Sequence, residues 1–196
     1  MNKQLIENIL DALVNDGYII VENALDLEMC KSLKTYAKNQ DNFKKAGISS
    51  STNLHLDENR RRDKILWLNE DNDVQSKFLN FTQHLKNTIN KELYMGLSYY
   101  ESHFAIYEKG DFYEKHLDAF KGSKNRVVTT VLYLNEEWDE SSGGELIIYN
   151  QEDEKIAKVI PNAGTLVVFL SDKFPHEVLP TKVKRHSIAG WFRIDK

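Results

Sequence analysis

Apolar residues recur at helical spacing from the start of the chain. Leu5, Ile6, Ile9, Leu10, Leu13 and Val14 share one face, and Gly17 stands where such a helix should end. Tyr18–Val21 follows with the β-branched content of a strand. Asp26 is placed to cap a second helix that buries Leu27, Cys30, Leu33 and Ala37. The character then changes. Residues 40–62, with Gly47, a Ser49–Thr52 run, asparagines and charges, offer little to a core and read as a long, mobile surface loop. Lys64–Leu68 is strand-like again, and Val74, Phe78, Phe81, Leu85 and Ile89 mark a third amphipathic helix.

From about Leu97 the period shortens to that of strands and stays there. The runs are Ser98–Tyr107, Val127–Leu134, Glu145–Tyr149, Lys155–Ile160, Thr165–Leu170 and Ser187–Ile194. Turn formers separate them: Gly110–Asp111, Gly122–Ser123, Ser142–Gly144, Gln151–Glu154 and Asn162–Gly164. Gly143-Gly144 suits a tight turn into the strand that follows. Helices first and then many short strands predict an α+β fold in which helices buttress an antiparallel sheet or sandwich. A double-stranded β-helix, the jelly-roll or cupin architecture, fits this strand count best. We read residues 1–196 as one domain, with 1–95 as helical support and 96–196 as the β core.

Composition narrows the function. A chain of 196 residues can bury a core without disulfides or structural metal. A net charge of −4 argues against a general nucleic-acid binder, which needs a basic surface. Cys30 is the one cysteine, which points to a reducing compartment, and its apolar neighbours make it a small buried hydrophobe. No apolar run approaches the roughly 18 residues of a membrane span. Glu7 and Asp11 interrupt the first apolar stretch, unlike a secretory signal. A cytoplasmic protein is expected.

The candidate chemistry lies in His116-Leu117-Asp118 and His176. On a strand, residues i and i+2 face the same way, so His116 and Asp118 can grip one metal ion, with His176 as third ligand. Two nitrogens and one carboxylate on one side of a metal suit ferrous iron and leave positions open. The motif is short, and on it alone a strand-edge His hydrogen-bonded to a carboxylate reads equally well. His55-Leu56-Asp57 repeats the pattern, but in the polar stretch where no sheet would fix its geometry. Arg185 follows His176 by nine residues and, if the chain turns back, enters the next strand aimed into the same pocket. Its planar fork can hold a carboxylate such as the far end of 2-oxoglutarate. Without the triad, it is one more charge in the basic stretch Lys182–Arg185. Trp67 and Trp138 read as packing residues, and Asp63 as an ion-pair partner of Arg61 or Arg62.

The segment from about Arg61 to Arg193 resembles the protein prolyl hydroxylases that sense oxygen in animals, and more closely their bacterial relatives. The matching stretches are Arg62-Asp63-Lys64-Ile65-Leu66-Trp67, Tyr113-Glu114-Lys115-His116-Leu117-Asp118, Val131-Leu132-Tyr133-Leu134-Asn135, Trp138-Asp139, Gly143-Gly144-Glu145-Leu146, Pro175-His176-Glu177-Val178 and Arg185 through Trp191. The resemblance implies an enzyme with His116, Asp118 and His176 as iron ligands and Arg185 as the 2-oxoglutarate clamp. It assigns Tyr133 and Tyr107 to the same pocket and Trp191 to its lining. Fe(II), 2-oxoglutarate and O2 are the implied cofactor and co-substrates, with ascorbate as an auxiliary reductant. The implied substrate is a prolyl residue in a protein, and bacterial members are associated with elongation factor Tu. Residues 40–62 then correspond to a finger that closes over substrate. Two departures from the family pattern are Glu108-Lys109-Gly110, where Pro-Gly is common, and Ala189, where threonine is common. They bear on substrate and oxygen kinetics. The competing readings are an oxygenase acting on a small molecule and a non-catalytic jelly-roll binding module.

Overall fold

The computed structural model describes residues 3–50, 53–55, 57, 59–119 and 125–194, with the backbone alone for 48–50 and 53–55. The expected Gly122–Ser123 turn and Leu56 of the second His-Leu-Asp motif lie outside the described residues. Helix α1 is Lys3–Asn15, strand β1 is Tyr18–Val21 and helix α2 is Leu27–Lys38. Strands β2 (Lys44–Lys45), β3 (Ile48–Ser50), β4 (Asn53–His55) and β5 (Lys64–Trp67) precede helix α3, Asp73–Leu93. Then come β6 (Tyr99–Tyr107), β7 (Tyr113–His116), β8 (Arg126–Tyr133), β9 (Leu146–Tyr149), β10 (Lys155–Val159), β11 (Leu166–Leu170), β12 (His176–Val178) and β13 (Arg185–Arg193).

The helix ends have local causes. Asp26 accepts a hydrogen bond from the Met29 N–H at 2.8 Å and so caps α2 as its position predicts. Asn72 does the same for α3, accepting from Val74 and Gln75. Gly17 ends α1 with φ +79°, a conformation that costs glycine nothing, and it packs tightly on the Phe174 ring.

The strands form a seven-stranded antiparallel sheet in the order β1-β11-β8-β13-β6-β5-β2 and a four-stranded sheet in the order β10-β9-β12-β7. Period-two alternation on the large sheet divides two cores. Phe104, Leu132, Ile188 and Phe192 point outward and pack with Ile9, Leu33, Phe78, Leu85 and Ile89 of the helices. Burying each such side chain is worth about 1.5–3 kcal/mol. Ala105, Tyr107, Val131, Tyr133 and Phe169 point inward and meet Leu146, Ile148 and Val178 of the small sheet. This is the double-stranded β-helix expected, with helices on one face.

Within residues 40–62, β2 adds to the edge of the large sheet at β5, and β3 pairs with β4 as a hairpin. The described part of that stretch is therefore partly strand. β7 and β12 were absent from the apolar runs, because they are four and three residues long with Glu114, Lys115 and Glu177 among them.

Candidate functional site

Three strand ends converge where β6 and β8 finish and β13 begins. Arg185 pairs in register with Tyr107, and Ser187 with Tyr133. Counting by twos along β13 puts Arg185, Ser187, Ala189, Trp191 and Arg193 on the inner face, where they line a cavity of about 680 Å³ between the sheets. That volume is in the range of small-molecule sites.

His116 and His176 sit directly across from each other on β7 and β12. Asp118 is not on the strand: β7 ends at His116, and a bend brings the carboxylate back toward the imidazoles. The i, i+2 spacing thus unites the pair through a bend rather than through strand alternation. His116 Nε2 lies 3.8 Å from Asp118 Oδ1, and His176 Nε2 lies 3.6 Å from Asp118 Oδ2. One donor atom from each of the three residues falls within 4.8 Å of the others. Each imidazole has its second nitrogen against a backbone carbonyl two residues earlier, Glu114 O at 2.7 Å and Phe174 O at 3.0 Å. A carbonyl only accepts, so each Nδ1 carries the proton and each Nε2 offers a lone pair into the cavity. Burial, then His176, lowers the pKa of His116 and keeps it neutral. Burial pushes the Asp118 carboxyl up, but His176, His116 and Arg126 outweigh it and hold the group below the usual carboxylate range. Among the described residues this is the group of side chains that could hold a metal; the side chains of the His55-Leu56 copy lie outside the described residues.

Arg185 is 1 % exposed. Its guanidinium stands 4.8 Å from the Tyr107 ring centre and 5.0 Å from that of Tyr133, and Nη1 donates to Ser187 Oγ at 3.1 Å. Among the described residues it has no carboxylate partner, and its Nε and the Tyr133 hydroxyl, though adjacent to each other's side chains, are buried without a hydrogen bond of ordinary geometry. Leaving such groups unpaired is costly, and an anionic group entering the cavity would satisfy both. Burial raises the Tyr133 hydroxyl to about 12, which keeps it a donor, and raises Tyr107 as well.

Several cavity residues carried no assigned role in the sequence. Tyr113 stacks on His116 with centroids 3.6 Å apart, and Arg61 covers the other side of Tyr113 at 4.5 Å. Arg61 is itself fixed by a two-pronged pair with buried Asp63, at 2.6 and 2.8 Å, as one of the readings of Asp63 predicted. Arg126 lies 3.7 Å over the Trp191 ring. The Trp191 indole N–H sits beside Asp118 without a hydrogen bond of ordinary geometry. His103 faces the cavity between Trp67 and Trp191, and burial followed by Arg61 lowers it to about 4. Trp67 corrects its reading as a packing residue, since it is 49 % exposed at the cavity wall. Counting back by twos from Tyr107 and Tyr133 would have found His103 and Thr129; Arg126 gave no signal of its own, and Arg61 only that of its pairing with Asp63.

A family model described as 2OG-Fe(II) oxygenase superfamily matches residues 102–193. The crystal structure of a prolyl-4-hydroxylase from Pseudomonas putida superposes with a TM-score of 0.88 at 34% identity, covering 97% of this chain and 100% of that one. A Trichoplax adhaerens prolyl hydroxylase, solved in complex with a hypoxia inducible factor oxygen degradation domain peptide fragment, gives a TM-score of 0.81 at 26% identity over 97% of this chain and 89% of that one. The hypoxia-inducible factor prolyl hydroxylase of Caenorhabditis elegans is 29% identical over 211 residues, which span 97% of this chain but 28% of that protein's length.

Proposed function

Because the chain belongs to the 2OG-Fe(II) oxygenase superfamily, in its prolyl-hydroxylase branch, we propose that it hydroxylates a prolyl residue of a protein substrate at the expense of 2-oxoglutarate and O2. The observation that carries this reading is the buried, carboxylate-free Arg185, with the orphaned Tyr133 hydroxyl, in the same cavity as the His116–Asp118–His176 group. The donor set fits ferrous iron, and the unpaired guanidinium fits a dicarboxylate. Bound iron would supply the activation of O2. The reaction balances as substrate C–H, O2 and 2-oxoglutarate giving C–OH, succinate and CO2.

The chain's own residues hold and orient. The two imidazoles present Nε2, fixed by the Glu114 and Phe174 carbonyls. Arg185 and Tyr133 take the far carboxylate of 2-oxoglutarate, while Tyr107 packs against the guanidinium. Trp191 walls the carboxylate ligand from water. Ascorbate is expected to help sustain turnover as an external reductant.

A protein substrate is favoured by the open rim of the cavity, where Trp67 and Leu117 are partly exposed and Lys44, Lys45 and Gly47 stand alongside. The described part of the stretch 40–62 reaches this rim at Asn42, Lys44, Lys45 and Gly47, with Arg61 bonded to the Gly47 carbonyl, which supports a covering role over bound substrate. Elongation factor Tu is the first candidate partner, and the cytoplasm, consistent with the lone buried Cys30, is the expected location. No helix among the described residues is long and apolar enough to cross a membrane. The test incubates enzyme, Fe(II) and 2-oxoglutarate with elongation factor Tu and with free proline. A gain of one oxygen mapped to a prolyl residue supports the reading. Oxidation of free proline, with no proteins modified in a lysate treated the same way, replaces it with a small-molecule oxygenase.

A further inference from the structure

Behind Asp118 stands a chain of two hydroxyls to which the chemistry above gives no task. Thr129 Oγ1 lies 2.8 Å from Asp118 Oδ2, and Ser171 Oγ lies 2.8 Å from Thr129 Oγ1. All three residues are buried, Ser171 completely. Thr129 comes from the inner face of β8, Ser171 from the residue after β11, and Asp118 from the bend after β7. Backbone bonds hold this frame, with the Ala119 N–H donating to Ser171 O at 3.3 Å and the Ser171 N–H to Val127 O at 3.0 Å.

The proton order in the chain follows from the groups themselves. Thr129 Oγ1 donates its proton to Asp118 Oδ2. With its one proton committed, Thr129 can only accept from Ser171. Hydroxyls aligned head to tail polarise one another, and no water competes at these depths. The ion-pair partners of Oδ1 are farther off, His116 Nε2 at 3.8 Å and Arg126 Nη1 at 4.0 Å, and the Trp191 indole N–H stands beside the carboxylate. The two carboxylate oxygens are therefore not equivalent.

We propose that Thr129, backed by Ser171, is a positioning residue that ties down one oxygen of Asp118 and presents the other to the metal as a single-point ligand. This rests on the oxygenase reading of the site. A carboxylate free to turn would grip the ion with both oxygens and consume a coordination position that O2 or 2-oxoglutarate requires. Two hydroxyls from separate parts of the chain, one on β8 and one just past β11, prevent that turn without adding charge beside the ligands.

Co(II) is the probe, added to the metal-free full chain. Thr129→Val keeps the side chain's shape and loses its hydroxyl. Its Co(II) dissociation constant should rise about 10–100-fold, the range for removing an outer partner of a metal ligand. The visible absorption of bound Co(II) should change in shape, because the carboxylate can then bind through both oxygens. Thr129→Ser should restore both affinity and spectrum. Melting of each metal-free variant checks that it folds. If Thr129→Val does not fold, Ser171→Ala decides: a severalfold weaker Co(II) constant supports the relay, and native affinity overturns it. A folded Thr129→Val protein that binds Co(II) within about threefold of the native chain, with an unchanged spectrum, overturns it too. Failure of the native chain to bind Co(II) at all would instead sink the metal reading, and the relay's role with it.

Discussion

Replacing Arg185 by alanine should separate ligand binding from folding. In the free protein the guanidinium is 1 % exposed, donates to Ser187 and lies between two tyrosine rings without a carboxylate partner. Its removal costs the packing of its stem but also relieves a buried, unpaired charge, so the two effects on the free protein oppose. In the loaded protein there is no such offset. The far carboxylate of 2-oxoglutarate would stay buried with only the Tyr133 hydroxyl to meet it. Losing one side of a buried charge pair costs on the order of 2–5 kcal/mol, or roughly 30- to 5,000-fold in dissociation constant. Thermal melting with Mn(II) in place of iron reads this directly, because a ligand that binds only the folded state raises the midpoint as its concentration passes its dissociation constant. The native midpoint should climb with 2-oxoglutarate, while Arg185→Ala stays flat over the same range. Lys184→Ala is the control, since that exposed side chain pairs with Glu108 at 2.8 Å and such pairs contribute about 0–1 kcal/mol. Equal effects of the two substitutions, or an Arg185→Ala protein that responds to 2-oxoglutarate like the native chain, would refute the clamp.

The metal-free protein should lose stability as pH falls below neutrality. Burial, then Arg61, holds His103 near 4, and burial, then Lys34 and Lys38, does the same to His186, against an ordinary value of 6.5. Each binds its proton more tightly in the unfolded chain, so their stabilisation is complete above about 6.5 and is lost as pH falls toward 4. By pH 5 the loss is about 2 kcal/mol for each residue. The urea midpoint should therefore fall between pH 7.5 and 5, and His186→Leu should flatten part of that slope; a native midpoint constant over this range contradicts the assignment. Gly190→Ala should destabilise the fold by about 1–3 kcal/mol, because the added carbon meets the Tyr100 hydroxyl and lies 2.8 Å from Ser102 Cβ. Tyr100→Phe in the same chain should recover part of the loss in a chemical denaturation series, and no recovery would place the clash elsewhere.

The inner face of β13 was legible because its period of two runs unbroken from Arg185 to Trp191, and because both tyrosines beside Arg185 end apolar strands. The three residues proposed as ligands stood out by type and spacing, though the geometry that brings them together did not. Asp118 reaches the imidazoles through a bend whose shape no local pattern encodes, and β7 and β12 are too short and too charged to stand out as strands. Trp67 was misjudged because a tryptophan in an apolar run looks the same from sequence whether it packs inside or faces a cavity. Ser171 gave no signal: its closeness to Thr129 is a product of tertiary structure, 42 residues apart in the chain. His103 and Thr129 were within reach, had the parity of Tyr107 and Tyr133 been carried back along their strands.

The most direct measurement is the fate of isotopically labelled dioxygen in a reaction containing the native chain, Fe(II), 2-oxoglutarate and a protein substrate. One labelled oxygen should appear in succinate and one in a hydroxylated prolyl residue, in equal amounts, with both products abolished in His116→Ala, Asp118→Ala and His176→Ala and retained in His55→Ala. Product oxygen drawn from water, or labelled products that persist in the three ligand variants, would contradict the oxygenase reading.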